Sequence, residues 1–144
     1  MTMLNNVLLV ALGGALGSVC RYLLSGWNVE SFPFGTFVVN IVGSLLIGFL
    51  VGWVNRGVLV PEMKLLLVTG FCGGFTTFST FANESFAMLK VGDALLAALY
   101  VALSVFLGIL AVWLGSCLSG GCKINMTTMT NQIFVLFLRI KQDF

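Results

Sequence analysis

The chain has 144 residues, of which 59% are hydrophobic and only 8% are charged, and its formal net charge is +2. About a quarter of the residues in an ordinary soluble domain are charged, so this composition excludes such a domain and predicts an integral membrane protein. Nearly all of the chain is then committed to the bilayer, which leaves no length for a soluble catalytic domain.

Four apolar stretches follow one another along the chain, each long enough for a helix to cross a bilayer core of about 30 Å. We place them at 4–24, 34–54, 64–90 and 94–116. Pro33 and Pro61 suit the first turns of the second and third helices, and Asp93 suits the cap of the fourth. No signal peptide is expected, because the N-terminus lacks a basic region. The sequence therefore predicts an all-α membrane domain over 1–116 and a separate C-terminal tail over 117–144.

One charged and one amide side chain lie well inside the first two helices, where such side chains are costly and often functional. Arg21 comes near the end of the first helix, in GGALGSVCRY, and either snorkels to the interface or faces an internal path. Asn40 lies seven residues into the second helix, in GTFVVNIVGS. Its amide requires a partner at this depth, so we expect Asn40 to face a wet cavity or to bond a neighbouring helix.

The third helix contains the sequence GFCGGFTTFSTF at 70–81, in which two glycines precede a cluster of hydroxyl residues: Thr76, Thr77, Ser79 and Thr80. An unbroken helix over 64–90 would be about 40 Å long, which is more than the bilayer core requires. Irregular backbone is tolerated at this depth where protein buries it or where it lines a cavity, and channels and transporters use it to bind ions. The pattern therefore predicts a functional break in the third helix.

Aromatic and polar residues continue beyond this break. Phe78 and Phe81 share one face of the helix. Their electropositive ring edges can attract an anion weakly enough for it to dissociate again, as conduction requires. Packing or lipid contact is the alternative role for these rings. Glu84 lies one turn further along. In the fourth helix, Tyr100 and Ser104 are four residues apart and share a face, so they either bond a neighbouring helix or extend the polar track.

Residues typical of enzymes and transition-metal sites are scarce. The chain has no histidine, and Cys20 and Cys72 lie in apolar stretches, where cysteine behaves as a small hydrophobic residue. Cys117 and Cys122 lie in the tail without a set of further zinc ligands. Nucleophilic triads would also lack their usual base. We therefore do not expect an enzyme.

The charges do not favour one orientation in the membrane. Up to residue 116, Arg56 and Lys64 flank one face and Arg21 and Lys90 the other, so the positive-inside rule is balanced there, and Lys123 adds only a slight bias. Either another feature sets the orientation, or copies insert both ways and pair antiparallel. Four short helices are few to enclose a pathway, so an oligomer is expected. Small residues four apart supply close-packing faces on three helices: Gly13 and Gly17; Ser44, Gly48 and Gly52; and Gly70 and Gly74.

The quoted motifs, together with the spacing of Tyr100 and Ser104, closely resemble the Fluc fluoride channels, also called the CrcB family, over about 4–115. The resemblance implies a small four-helix protein that forms an antiparallel, dual-topology homodimer with two pores. It implies passive export of fluoride from the cytoplasm, across a bacterial inner membrane. The expected partners are fluoride, a second copy of the chain and the lipid bilayer, with no nucleic acid. The tail resembles nothing in the family, and we expect it to be dispensable for conduction.

The resemblance also implies roles for individual residues. Phe78 and Phe81 look like the phenylalanines whose ring edges line the fluoride path, and Asn40 looks like the pore asparagine that donates to the anion. The remaining residues of the implied path are a hydroxyl track (Ser79, Thr80, Tyr100 and Ser104), an outer carboxylate (Glu84) and a vestibule arginine (Arg21). The backbone carbonyls of Gly73 and Thr76 align with those that hold a central structural sodium ion at the dimer interface.

Two other classes remain open from the residues themselves. A small proton-coupled multidrug exporter also has four helices, but it needs a carboxylate deep in the membrane, and Glu84 lies toward one end of its helix. Glu84→Gln would abolish proton coupling in such an exporter. A structural membrane protein that transports nothing is the other alternative, and substituting Phe78 or Phe81 with isoleucine would then only disturb packing.

Overall fold

The computed structural model describes residues 2–26 and 32–121, which form a bundle of helices. Helix α1 covers Met3–Ser25 and α2 covers Phe34–Asn55. A composite third span covers Pro61–Lys90, and α6 covers Ala94–Leu118. All four spans are long and apolar enough to cross a membrane. The fold therefore confirms the predicted all-α membrane architecture, with helix ends within three residues of the predicted ones.

The third span is built from four shorter helices. It begins at Pro61 with α3 (Pro61–Met63), continues as a π-helix, π1 (Lys64–Cys72), and returns to α-helix in α4 (Gly73–Phe75). After Thr76 and Thr77, α5 (Phe78–Lys90) completes the span. A π-helix is defined by hydrogen bonds to the carbonyl five residues back and is wider than an α-helix; the first N–H of π1, that of Lys64, still bonds the Val60 carbonyl four residues back. The sequence pattern predicted an α-helix in this region, so the π-helical winding is a finding of the structure.

Small residues bring the helices into direct backbone contact. Gly13 and Gly17 of α1 are buried against π1 and α4, where an added Cβ at Gly17 would meet the Phe71 carbonyl oxygen. Gly48 of α2 packs in the same way on the backbone of Val112 in α6. Close packing of this kind drives helix association in lipid, where the hydrophobic effect no longer does. The predicted role of the glycine faces in a compact bundle is thereby confirmed.

The C-terminus of α6 is capped by backbone hydrogen bonds and by the side chain of Arg56, which lies in the loop after α2. The Gly120 N–H bonds the Cys117 carbonyl and the Gly121 N–H bonds the Ser116 carbonyl, with Gly120 at φ 72°, which is a Schellman cap. Arg56 Nη1 donates to the Ser119 carbonyl at 2.6 Å. The helix therefore ends two residues later than predicted. Residues 122–144, most of the predicted tail, lie outside the described residues.

Candidate functional site

The α-helical backbone of the third span is interrupted at Thr76 and Thr77. Thr76 has φ −77° and ψ 156°, and Thr77 has φ −145° and ψ 109°, so both are extended. In a continuous α-helix, the N–H groups of Thr77 and Thr80 would donate to the carbonyls of Gly73 and Thr76. Here the Thr77 N–H donates to Asn40 Oδ1 and the Thr80 N–H to Thr77 Oγ1. Both carbonyls are thus released from the helical hydrogen-bond ladder.

Asn40 makes two hydrogen bonds to a single residue of the interruption. Its Oδ1 accepts from the Thr77 N–H at 2.9 Å, and its Nδ2 donates to the Thr77 carbonyl at 3.2 Å. An amide NH₂ group has two donor hydrogens, so this arrangement commits one of them. The second N–H of Asn40 has no hydrogen-bond partner among residues 2–26 and 32–121. The sequence alternatives of a helix partner and a cavity-facing amide therefore both describe this side chain.

The hydroxyls of Thr77 and Thr80 form a directed pair at the start of α5. Thr77 is the N-cap of this helix, and its Oγ1 accepts from the Thr80 N–H. The same Oγ1 donates its hydrogen to Thr80 Oγ1 at 2.8 Å. Because the Thr77 hydroxyl hydrogen is used in this way, the Thr80 hydroxyl keeps its own hydrogen for a further acceptor.

A second polar cluster joins three spans around Glu84. Thr36 Oγ1 of α2 donates to Glu84 Oε1 at 2.7 Å, and the Tyr100 hydroxyl of α6 donates to Glu84 Oε2 at 3.0 Å. Thr36 and Tyr100 are almost fully buried, at 1% and 0% exposure. Each carboxylate oxygen thus receives a hydrogen bond from a neighbouring helix, which compensates part of the cost of a carboxylate at this depth.

Aromatic rings surround the Tyr100 end of this cluster. The Phe81 ring lies 5.2 Å from the Tyr100 ring between centroids, and the Phe32 ring lies edge-on at 5.3 Å. Phe78 is 5.9 Å from Phe81 and is 80% exposed on the single chain. Phe78 and Phe81 therefore form a continuous aromatic surface that extends from the buried Tyr100 to the outside of the bundle.

A cavity of about 340 Å³ opens beside the interruption. It is lined by amide, hydroxyl and aromatic residues together with a few apolar ones from three spans, namely Asn40, Gly43, Ser44, Ile47, Thr76, Thr77, Phe78, Phe81, Ser104 and Val105. The Ser104 Oγ is buried and has no hydrogen-bond partner within the described parts of the chain. A donor at this depth without a protein partner is costly, so the site suits a polar occupant.

Arg21 borders a second, smaller cavity on the other side of Thr77. The cavity has a volume of about 40 Å³, large enough for a water-sized occupant, and it is lined by Arg21, Ser25, Thr36, Val39, Thr77 and Thr80. Arg21 Nε is buried and has no hydrogen-bond partner among the residues described. Thr77 lines both cavities, so it stands between them.

Most of the predicted site residues lie close together. Asn40, Phe78, Phe81 and Ser104 share the larger cavity, and Thr80 and Arg21 share the smaller one. Glu84 and Tyr100 bond each other next to Phe81. Ser79 is different, since it lies exposed on α5 and lines neither of these cavities. The functional roles of all these residues stay predictions.

Two residues of the site were missed as individual candidates by the sequence reasoning. Thr77 was noted only as part of the hydroxyl cluster, and its backbone and hydroxyl both hold site residues. Thr36 was not considered, although it is the buried donor to Glu84. Thr36 follows Gly35 in GTFVVN and lies four residues before Asn40 on the same helix. That spacing places both side chains on one face and was the available signal.

The architecture and the site together define the class of protein. One of the four membrane-length spans is interrupted beside a cavity whose lining includes amide, hydroxyl and aromatic groups. Such a polar path inside a membrane bundle is typical of transport proteins.

Comparison with known proteins identifies the family. The CrcB family ("CrcB-like protein, Camphor Resistance (CrcB)") matches residues 8–116, and the chain belongs to this family. A relative from Flavobacterium psychrophilum, named fluoride-specific ion channel FluC, is 45% identical over 117 residues, which are 78% of this chain and 94% of the relative. Relatives of the same name from Gloeothece citriformis and Geotalea daltonii are 49% and 44% identical, over 76% and 78% of this chain and 92% and 94% of their own lengths. The family consists of transport proteins, so the prediction that the chain is not an enzyme is confirmed.

Proposed function

We propose that this protein is a fluoride-selective passive channel that exports fluoride across the bacterial inner membrane. The observation that carries the proposal is the cavity beside Thr77, where hydrogen-bond donors and two phenylalanine rings of one chain lie together. The names of relatives at 44–49% identity, each a fluoride-specific ion channel, support fluoride as the conducted ion. The resemblance of the motifs in the first three helices gives the same expectation.

The site supplies what an anion loses when it leaves water. Moving an ion of carboxylate size into a medium of low dielectric costs of order 20 kcal/mol, and the cost is larger for a smaller ion such as fluoride. The uncommitted N–H of Asn40, the Ser104 hydroxyl and the Thr80 hydroxyl can donate to fluoride along the path. The ring edges of Phe78 and Phe81 add weak attraction. Many weak contacts lower the barrier without trapping the ion.

An antiparallel homodimer with two pores would explain why the cavity and the Phe78 ring are exposed on the single chain. The cavity opens to the outside of the bundle, and the Phe78 ring beside it is 80% exposed. A second chain in the opposite orientation would cover this surface and would complete a water-free path on each side of a two-fold axis. The balanced charges at the two membrane faces allow both orientations to insert.

Arg21 and Glu84 would act near the same end of the path, since Thr36 lines the small cavity with Arg21 and donates to Glu84. The buried Nε of Arg21 borders the small cavity with Thr80, so its positive charge would attract an anion toward the hydroxyl pair. Glu84 would repel an anion, but its two oxygens accept hydrogen bonds from Thr36 and Tyr100. These hydrogen bonds hold the carboxylate against α2 and α6. If the hydroxyls of Thr36 and Tyr100 turned from Glu84 toward a passing anion, they would extend the row of hydroxyl donors along the path.

The released carbonyls of Gly73 and Thr76 fit a structural sodium ion. Sodium is a hard cation that prefers oxygen ligands, and the residues described contain no cluster of carboxylates, cysteines or histidines that could hold a metal ion. Because the donors of Thr77 and Thr80 bond elsewhere, both carbonyls are available for a cation. A two-fold axis would double these two ligands to four, and the ion would then join the subunits.

Sodium removal therefore tests this part of the proposal. We expect the thermal unfolding midpoint of the purified protein to be several degrees higher in sodium chloride than in N-methylglucamine chloride of equal ionic strength, because a ligand that binds only the folded state stabilises it. The measurement is a thermal scan followed by tryptophan fluorescence, with potassium and lithium chlorides as controls for ion identity. Equal midpoints in sodium and N-methylglucamine would contradict a structural sodium site.

The export function is tested in cells that lack their own fluoride exporter. Expression of this chain is expected to restore growth in fluoride-containing medium, because passive efflux returns fluoride that entered as neutral hydrogen fluoride. A proton-coupled drug exporter would instead raise tolerance to cationic drugs, and a structural membrane protein would raise neither. Growth inhibition equal to that of cells with an empty vector, at verified expression in the membrane, would count against the proposal.

A further inference from the structure

Within residues 2–26 and 32–121, Asn40 is the one side chain of another helix that bonds the backbone of the interruption at Thr76 and Thr77. We propose that Asn40 is a positioning residue whose amide holds Thr77 in the extended conformation and thereby maintains the interruption of the third span. This inference deepens the proposed function, and its consequences for conduction rest on it. It differs from the role of anion donor that the family resemblance implies for the same side chain.

The geometry of an extended residue explains why one amide can hold it. In an extended residue the backbone N–H and C=O point to the same side, as in the hydrogen-bonded pairs of an antiparallel ladder, where two residues exchange both bonds. The Asn40 amide takes the place of such a partner, accepting from the Thr77 N–H and donating to the Thr77 carbonyl. In an α-helical residue these groups point in opposite directions along the axis. The two hydrogen bonds between the Asn40 amide and the Thr77 backbone therefore favour the extended conformation of Thr77 over the helical one.

The interruption competes with continuation of the helix. If Thr77 became helical, its N–H would return to the Gly73 carbonyl and the Thr80 N–H to the Thr76 carbonyl. The Thr77 hydroxyl would then lose its capping position, in which it accepts from the Thr80 N–H. Low dielectric makes an unpaired backbone group costly, so one arrangement or the other must be fully bonded. Removal of the Asn40 amide takes the partner of Thr77 away and favours the closed helix.

Closure of the helix would remove several parts of the site at once. It would occupy the carbonyls of Gly73 and Thr76, and it would rotate the Phe78 ring and the Thr77 hydroxyl away from the cavity that they line. Asn40 thus acts through the backbone on groups that it does not touch. A pure anion donor at position 40 would affect only the anion that it contacts.

Carbonyl chemical shifts report the backbone state of Thr77 directly. Labelling with ¹³C-threonine and ¹⁵N-phenylalanine selects the Thr–Phe pairs, which in this chain are 36–37, 77–78 and 80–81. Thr36 and Thr80 are helical and Thr77 is extended, so two signals serve as internal references for the third. The experiment is solid-state NMR of the full chain in liposomes, combined with fluoride efflux from the same preparation.

The variants are chosen to separate positioning from pore lining. Asn40→Leu removes the amide at similar size. Asn40→Ser keeps a small polar group on a shorter side chain, whose hydroxyl lies further from the Thr77 backbone than the two amide atoms do, so it replaces Asn40→Leu if that variant does not fold. Asn55→Leu is the matched control, since Asn55 lies exposed 15 residues further along the same helix. We expect both Asn40 variants to shift the Thr77 carbonyl toward the helical value and to lower fluoride efflux by about tenfold or more, and the control to do neither.

Each outcome decides the proposal. A helical shift with reduced efflux supports it. An extended Thr77 signal in both Asn40 variants overturns it, and reduced efflux would then mean that Asn40 acts only on the anion. A helical shift with wild-type efflux supports the hold of Asn40 on Thr77 and overturns its consequence for conduction, because the interruption would be unnecessary for fluoride flux. If the wild-type chain passes no fluoride, the proposed function fails, and the Thr77 shift alone still decides whether Asn40 holds the interruption.

Discussion

Substitution of Phe81 with isoleucine is expected to lower fluoride flux by about a hundredfold, which corresponds to a barrier about 2.7 kcal/mol higher. Phe81 is the central ring of the aromatic surface, with centroid distances of 5.2 Å to Tyr100 and 5.9 Å to Phe78. The Phe81 side chain is part of the wall of the larger cavity. Isoleucine fills similar space but has no electropositive ring edge, so a dehydrated anion would meet a bare apolar wall.

The control for this prediction is Phe106→Ile on α6. Phe106 is 65% exposed and lines neither of the two polar cavities, so its replacement should leave fluoride flux at the wild-type level. Both variants are measured by fluoride efflux from liposomes at equal protein content, after size-exclusion chromatography shows the same elution as wild type. Wild-type flux through Phe81→Ile would show that the ring does not contribute to the path.

Substitution of Gly17 with valine is expected to destabilise the bundle by about 3 kcal/mol, because overpacking at a site that cannot yield has costs of this size. A Cβ at position 17 would meet the Phe71 carbonyl oxygen and would lie 2.8 Å from the Phe75 backbone nitrogen. Both are backbone atoms, so no side chain can rotate away. Helix α1 would have to separate from π1 and α4, directly before the interruption at Thr76.

Gly14→Ala provides the comparison within the same helix. The added Cβ at Gly14 would lie 3.9 Å from the Gly70 carbonyl oxygen, which is an ordinary van der Waals contact. We expect this variant to unfold at the same denaturant concentration as wild type, in detergent and followed by tryptophan fluorescence. Unfolding of Gly17→Val at the wild-type concentration would mean that α1 does not pack on the third span as described.

The spans were predictable because a bilayer imposes a length and an apolar composition on any helix that crosses it. Pro61 begins the third span as predicted, and Asp93 precedes α6 at the predicted cap position, where its side chain makes no capping hydrogen bond. The clustering of Asn40 with Phe78 and Phe81 was predictable only in part. The family resemblance implied that they share one path, but the contact between α2 and the third span depends on the packing of the helices.

Other features had no clear signal in the sequence. The π-helix over Lys64–Cys72 differs from an α-helix in small changes of backbone dihedral angles, and its residues are compatible with either winding. The hydrogen bonds of Asn40 to Thr77 depend on the relative height of two helices. The burial of Thr36 against Glu84 depends on it as well. Such contacts arise from tertiary packing, which a single sequence does not encode in a local pattern.

Fluoride efflux from liposomes that contain the purified wild-type chain tests the central claim most directly. The liposomes are loaded with fluoride or with chloride, valinomycin and a potassium gradient balance the charge, and an ion-selective electrode records the release. The proposed channel predicts rapid fluoride release, negligible chloride release and no requirement for a proton gradient. Fluoride release no faster than from empty liposomes, by protein shown to be folded and inserted, would contradict the proposed function.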